Sequence, residues 1–316
     1  MKKIAYLFLI IFSLFVIGVY LLIPANIEFS TMAVIPTSEN GTSRFVLDST
    51  KWENWWPMDS SNYISGKKIS ARFEFNHNRF VLQEKQYKSA TILISHKENS
   101  YSSQLILIPF QKDSTIIQWK SKIKGGLNPI TRIKEYQAAL QMKTSMTDVL
   151  QGLRLFLSKT ENVYGIPIER TGTPDTIIVS TKSILSEKPG TVQIYSMIEE
   201  LKKYAESKGA IQTGLPIYNI SLLKKGQHQL MCALPIDREL ISTDRFTIRQ
   251  MVKGAFMKTE VLGGEYRIEN AKTNMQQYFE DFQKVAMAIP FIMPVTNRMY
   301  ETDSTKWITR LYYPVF

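Results

Sequence analysis

The sequence predicts an α+β chain made of a single apolar helix and two folded parts, on three observations. Twenty residues without a charge, Ile4–Ile23, stand at the amino terminus. A run of period-two segments at hairpin spacing follows and ends in one long amphipathic segment. Finally, a strand–helix–strand–strand pattern occurs twice, at about 176–236 and again at about 250–315. These features divide the chain at 1–24, 25–160 and 161–316.

Ile4–Ile23 is long enough to span a hydrocarbon core at about 1.5 Å per helical residue. A cleavable signal reads similarly, but its core is shorter, about 7–15 residues, and ends at small residues. Here the segment ends Leu21-Leu22-Ile23-Pro24-Ala25, with Tyr20 where an interfacial aromatic would sit. The anchor is the preferred reading. Lys2 and Lys3 lie on one side, and no Lys or Arg occurs from Pro24 to Ser43. That asymmetry predicts a cytoplasmic amino terminus in a bacterial inner membrane, with the rest of the chain outside.

Asn26–Pro36 is strand-like through Ile27, Phe29, Val34 and Ile35. Asn40–Trp56 reads as one or two short helices that end in Trp52, Trp55 and Trp56. Each indole can bury about 150–250 Å², so the three must cover a core or the mouth of a cavity. From Ile69 to Phe75 apolar and polar residues alternate, as in a half-buried strand. Further strands are expected at Arg79–Tyr87, Ala90–His96, Ser102–Phe110 and Ser114–Lys122, an antiparallel meander. Gly125-Gly126 ends it. Asn128 then caps a helix with Pro129 at its first position, running to about Lys159. Its apolar stripe is read as Ile133, Tyr136, Leu140, Met146, Leu150, Leu153 and Leu157.

The remaining part repeats. Copy one opens with Thr176–Lys182, continues as a helix with Ile194, Ile198, Leu201 and Tyr204 on one face, and closes with strands near Tyr218 and at Gln229–Ile236. Copy two opens with Gln250–Val261, turns at Gly263-Gly264, carries Ile268, Ala271, Met275, Tyr278, Phe279 and Phe282 on one stripe, and closes near Tyr300 and at Ile308–Val315. Two marks align the copies: Tyr218 with Tyr300, 82 residues apart, and Pro235 with Pro314, 79 apart. Two such units side by side can share a sheet and leave a cleft on their pseudo-dyad, a place suited to a small molecule.

The Gly-Glu-Tyr266 turn, the aromatic helix, the Tyr300 strand and the closing Tyr-Pro-Val315 resemble the gyrase-inhibitor-like effector-binding domains, over about 164–316. The order of strand, short helices, curled sheet and long helix over 27–160, with Lys51-Trp-Glu-Asn-Trp-Trp-Pro57, resembles the START-like helix-grip superfamily, which includes polyketide cyclases. The first resemblance implies small-molecule binding between the two repeats. It also implies a pocket carboxylate two residues before the strand tyrosine, where this chain has Arg298. An arginine there implies a neutral or anionic ligand and argues against the hydrolytic members' chemistry. The ligand-binding candidates are therefore Tyr218, Tyr266, Arg298, Tyr300 and Tyr313, with Trp52, Trp55 and Trp56 for the front domain. Core tyrosines with an outward hydroxyl would look the same in sequence.

The net charge of +11 is uneven, with 18 basic against 11 acidic residues between Ile27 and Thr160. A basic front domain suits an anionic headgroup surface, although solubility alone explains it. No helix-turn-helix pattern or basic run with interleaved aromatics points to nucleic acid, so no nucleic-acid partner is expected. Cys232 is the single cysteine, and His77, His96 and His228 are scattered and read as surface residues, so no metal site, cofactor or catalytic triad is expected. Ligand binding ranks first, a structural envelope protein that docks other proteins second. A cyclase or hydrolase that uses Glu260, Glu265 or His77 ranks third.

Overall fold

The computed structural model describes residues 2–57, 73–172, 176–251 and 253–315. The chain forms two compact units, Met1–Lys159 and Thr160–Phe316.

The first unit opens with helix α1, Lys2–Leu22. Its large side chains from Ile4 to Phe15 are more than half exposed. Only its end is held: Val19 and Ile23 are buried, the Tyr20 hydroxyl donates to the Leu127 carbonyl, and the Arg132 guanidinium lies 4.8 Å from the Tyr20 ring. Among the described residues no helix is long and apolar enough to cross a membrane. Helix α1 has 21 residues.

Strands β1 (Asn26–Ile35), β2 (Phe73–Phe75), β3 (Asn78–Gln86), β4 (Ser89–His96), β5 (Asn99–Phe110) and β6 (Ser114–Lys124) form one antiparallel sheet in the order β1-β6-β5-β4-β3-β2. The meander is thus as expected, and β1 closes onto its last strand. Of the alternating Ile69–Phe75 segment, Ile69 to Arg72 lie outside the described residues. Helix α2 (Glu39–Val46) starts under the Ser38 side chain, which accepts from Gly41 N, and a 3-10 turn follows at Ser49–Asn54. Helix α3, Pro129–Leu157, is capped by Asn128.

Alternation places Ile35, Ile92, Ile94, Ile117 and Trp119 in the core, none more than 1 % exposed. The three tryptophans complete that core. Trp52 stacks on Trp56 at 5.2 Å, and Trp56 meets Phe80 edge-on at 5.2 Å. Each indole N–H donates to a backbone carbonyl, of Val46, Phe45 and Glu74 in turn, so the rings are buried without an orphaned donor.

Two expectations are corrected here. The first half of the α3 stripe is not Tyr136 and Leu140, which are 38 % and 48 % exposed, but Ala138, Ala139 and Met142, whose small or flexible side chains let the helix approach the sheet. His96 is not a surface residue. It is buried and its Nδ1 lies 2.8 Å from Asn78 Oδ1, while Asn78 donates to Ser145 Oγ at 2.8 Å, and burial lowers its pKa.

The second unit begins with α4 (Thr160–Tyr164) and β7 (Glu169–Gly172). Copy one comprises β8 (Ile177–Leu185), α5 (Thr191–Ser207), β9 (Ile217–Leu222) and β10 (His228–Ile236). After β11 (Thr247–Gln250), copy two comprises β12 (Ala255–Leu262), α6 (Glu265–Asp281), β13 (Phe291–Pro294) and β14 (Ile308–Val315). The sheet order β11-β8-β10-β9-β13-β14-β12-β7 reads the same from either end, with the pseudo-dyad between β9 and β13 at the pair Tyr218–Ile292. Copy two therefore opens at Ala255, because Thr247–Gln250 leaves it to pair with β8.

The register tests the two alignment marks. Pro235 pairs with Ile178, and Pro314 with Phe256 at the matching place, so the 79-residue mark holds. The other mark does not. Tyr218 faces Ile292 across the dyad, so Ile292 is its counterpart, and Tyr300 lies in a turn beyond the strand. The helices correspond at a constant offset, with N-caps Gly190 and Gly264, then Ile194 and Ile268, Leu201 and Met275, Tyr204 and Tyr278. Both helices cover one face of the sheet, where Val179, Cys232, Leu234, Leu311 and Val315 meet them.

Candidate functional site

Two places in the second unit gather functional chemistry, one on each face of the sheet. On the helix-covered face, the connection from β13 to β14 brings Arg298 inward to 7 % exposure. Its Nη1 donates to the Tyr218 hydroxyl at 3.3 Å and its Nη2 to Thr309 Oγ1 at 2.9 Å. Its backbone N–H donates to the Tyr195 hydroxyl at 3.0 Å, and its guanidinium lies 4.8 Å from the Trp307 ring. Glu265 Oε2 comes to 4.0 Å. The guanidinium Nε has no hydrogen-bond partner among the described residues. Burial pushes the Tyr218 hydroxyl up to about 12 while Arg298 pulls it back. Arg298 comes from copy two, whereas Tyr195 and Tyr218 belong to copy one, so the cluster ties the halves together.

This is the neighbourhood where a ring-lined hollow was expected. The structure brings Tyr218 and Arg298 into contact there. Tyr313 packs on Phe279 at 5.4 Å in the core under the helices, and burial pushes it up to about 12. Tyr266 and Tyr300 are 77 % and 88 % exposed and join neither group. Trp52, Trp55 and Trp56 lie in the core of the other unit. Among the enzyme candidates, Glu260 pairs with Arg310 at 2.8 Å, Glu265 with Lys188 at 3.0 Å, and His77 sits in an exposed turn.

A hollow of about 840 Å³ opens on the opposite face of the sheet, and Met197 and Glu200 of α5 join its lining at one side. Side-chain alternation gives its floor: Ile178, Ser180 and Lys182 from β8, Ala233 and Met231 from β10, Ile217 and Asn219 from β9. Phe256, Phe291 and Pro314 bound it on the copy-two side, and Thr247, Arg249 and Met251 come from β11 and its exit. The connection into β13 reaches it through Ile289 and is held by Asn219 Nδ2, which donates to the Pro290 carbonyl at 2.8 Å. Tyr218 is the one candidate residue from sequence in this lining. The residues that shape it were missed because small strand residues carry no signal of a gap. A second depression, of about 930 Å³, lies in the first unit between Phe29, Tyr136, Leu140 and Lys143 and includes none of the three tryptophans.

No protein-family model matches the chain, and no curated protein matches it. Among solved structures it is similar to the EcmrR C-terminal domain, at 13 % identity and a TM-score of 0.42, over 48 % of this chain and 98 % of that one. It is similar to SAV2435 bound to tetraphenylphosphonium, at 16 % identity and a TM-score of 0.32, over 48 % and 94 % of the two chains. It is also similar to a START superfamily protein from Mycobacterium smegmatis, at 13 % and 0.24, over 39 % and 97 %.

Proposed function

We propose that the chain is a non-catalytic small-molecule-binding protein, anchored in a bacterial inner membrane by 4–23 and taking an apolar or anionic ligand. The observation that carries the binding part is the hollow of about 840 Å³ on the helix-free face of the second unit. That volume lies within the about 300–1,000 Å³ of ordinary ligand sites, and its floor joins Ile178, Ile217, Met231 and Ala233 with the polar Ser180, Lys182 and Asn219. The anchor is supported by the exposed apolar side chains of α1, a surface that water does not tolerate on a lone helix. In this reading the domains lie outside the cytoplasm and have no nucleic-acid partner.

For the first unit the filled tryptophan core favours a second reading, a module that supports or docks other proteins. A thermal-shift screen with lipophilic and anionic compounds tests the main reading. A ligand at about 100 times its dissociation constant adds about 2.7 kcal/mol, a clear rise in melting temperature. No shift across the screen contradicts ligand binding. Release of the full chain from membranes by alkaline carbonate contradicts the anchor, and salt-sensitive binding to duplex DNA contradicts the exclusion of nucleic acid.

A further inference from the structure

The pseudo-symmetry shows what the hollow lacks. Strand pairing puts Ser180, Ala233 and Ile217 in one row of the copy-one sheet, and the equivalent row of copy two is Lys258, Tyr312 and Phe291. In copy two the place is filled. The Tyr312 ring stacks on Phe291 at 4.9 Å and 14°, and Phe256 closes on both at 5.7 and 6.2 Å. In copy one Ala233 stands where Tyr312 stands, Ile217 replaces Phe291 and Ile178 replaces Phe256, so copy one lacks the ring; Ala233 and Ile217 pack with Phe256 and Phe291 at the bottom of the hollow.

The charges differ in the same sense. In copy two the cations on this face are matched, Lys258 by Glu169 at 3.1 Å and Arg310 by Glu260 at 2.8 Å. Lys182 of copy one occupies the position of Glu260, and Arg249 lies beside Ile178 on β11. Both line the hollow, and among the described residues neither side chain has an ion pair or hydrogen bond. The acidic groups of the lining are Glu200, held by Arg245 at 2.5 Å, and Asp244; they belong to α5 and the β10–β11 connection and not to the floor.

We infer that the copy-one hollow takes a flat aromatic or similarly compact apolar anion, its ring over Ala233 and Ile217 and its carboxylate or sulfonate toward Lys182 and Arg249. The ligand supplies what Tyr312 and Glu260 supply within copy two. The inference rests on the small-molecule reading above and adds the face of the sheet, the residues and the ligand class.

The test uses the full chain and two fluorescent probes, 1-anilinonaphthalene-8-sulfonate and its neutral parent N-phenyl-1-naphthylamine. The sulfonate is expected to bind saturably at one site and more tightly than the neutral probe. Lys182→Gln and Arg249→Gln are each expected to weaken the sulfonate by about tenfold and leave the neutral probe unchanged, a loss set by one charge-assisted contact. Ala233→Tyr, which restores the copy-two ring, is expected to abolish both. The glutamine variants lie on exposed positions and report even if Ala233→Tyr fails to fold. If both probes bind equally and the glutamine variants change nothing, the anion class is overturned while ligand binding stands. If neither probe binds, both readings fall. Undiminished binding of both to a folded Ala233→Tyr places them elsewhere and overturns the site.

Discussion

The two copies of the second unit share one skeleton and differ in what they do with it. Their helices have 17 residues each and start from glycine N-caps, and their strands pair in matching register. The differences that bear on a ligand lie in the side chains of the helix-free face and in the connection that carries Arg298. Copy two fills its face with Phe256, Phe291 and Tyr312 and pairs its charges, whereas copy one leaves a gap and two unmatched cations. A duplicated fold supplies its own control: where one half is closed by its own side chains and the other is not, the open half is the place to look for a ligand.

The equivalence is broken or sharpened most strongly in the core. Leu201 and Met275 are equivalent and fully buried, so Leu201→Ala and Met275→Ala should each lower stability by about 2–5 kcal/mol in chemical denaturation. A large loss at one and almost none at the other breaks the comparison. Next comes the tie between the halves. Arg298→Ala leaves the Tyr218 and Thr309 hydroxyls without this partner and removes the contact with Trp307, at a cost of about 2–3 kcal/mol. A loss below about 0.5 kcal/mol would show that the tie holds nothing.

Buried hydroxyls and a thiol on the helix-covered face give a pH dependence. Tyr218 and Tyr313 are each pushed up to about 12, and the Cys232 thiol likewise, all by burial. The unfolded chain loses these protons first as pH rises, near the ordinary values of about 8.5 for the thiol and about 10 for the phenols. The stability they contribute is therefore whole below those values and lost as pH rises toward about 12. Melting temperature should fall with rising pH in the alkaline range, less steeply in Tyr218→Phe. An identical slope in that variant would remove Tyr218 from the account.

The smallest expected effect concerns the entry to α6. Gly263 has φ +122°, and a Cβ there would meet Arg267 Cγ at 2.9 Å, so Gly263→Ala should cost about 1–2 kcal/mol in the same denaturation assay. Copy one needs no such freedom, because Pro189 stands at the equivalent position. A neutral Gly263→Ala would mean that the turn relaxes.

Much of this architecture was legible. Period-two alternation from Arg79 to Lys122, the Asn128-Pro129 start of α3 and the Pro235–Pro314 correspondence all survive, because each is local chemistry written in adjacent residues. What failed depended on distant contacts. Tyr300 looked like the partner of Tyr218, but the connection after Pro294 carries it into an exposed turn. The Tyr136–Leu140 stripe lost to Ala138 and Ala139, since close approach of helix to sheet favours small residues over large ones. Arg298 was read as a residue of a ligand cleft; in the fold it meets Tyr195, Tyr218, Thr309 and Trp307. The hollow was half legible: once Pro235 and Pro314 are aligned, Ala233 opposite Tyr312 is the missing ring. Only the pleat shows that both face away from the helices.

A co-crystal structure of the chain with 1-anilinonaphthalene-8-sulfonate tests the central claim most directly. The account predicts ring density over Ala233 and Ile217, in the place that mirrors Tyr312 across the β9–β13 dyad, with the sulfonate toward Lys182 and Arg249. Density on the helix-covered face beside Arg298, with the hollow over Ala233 empty, would contradict it.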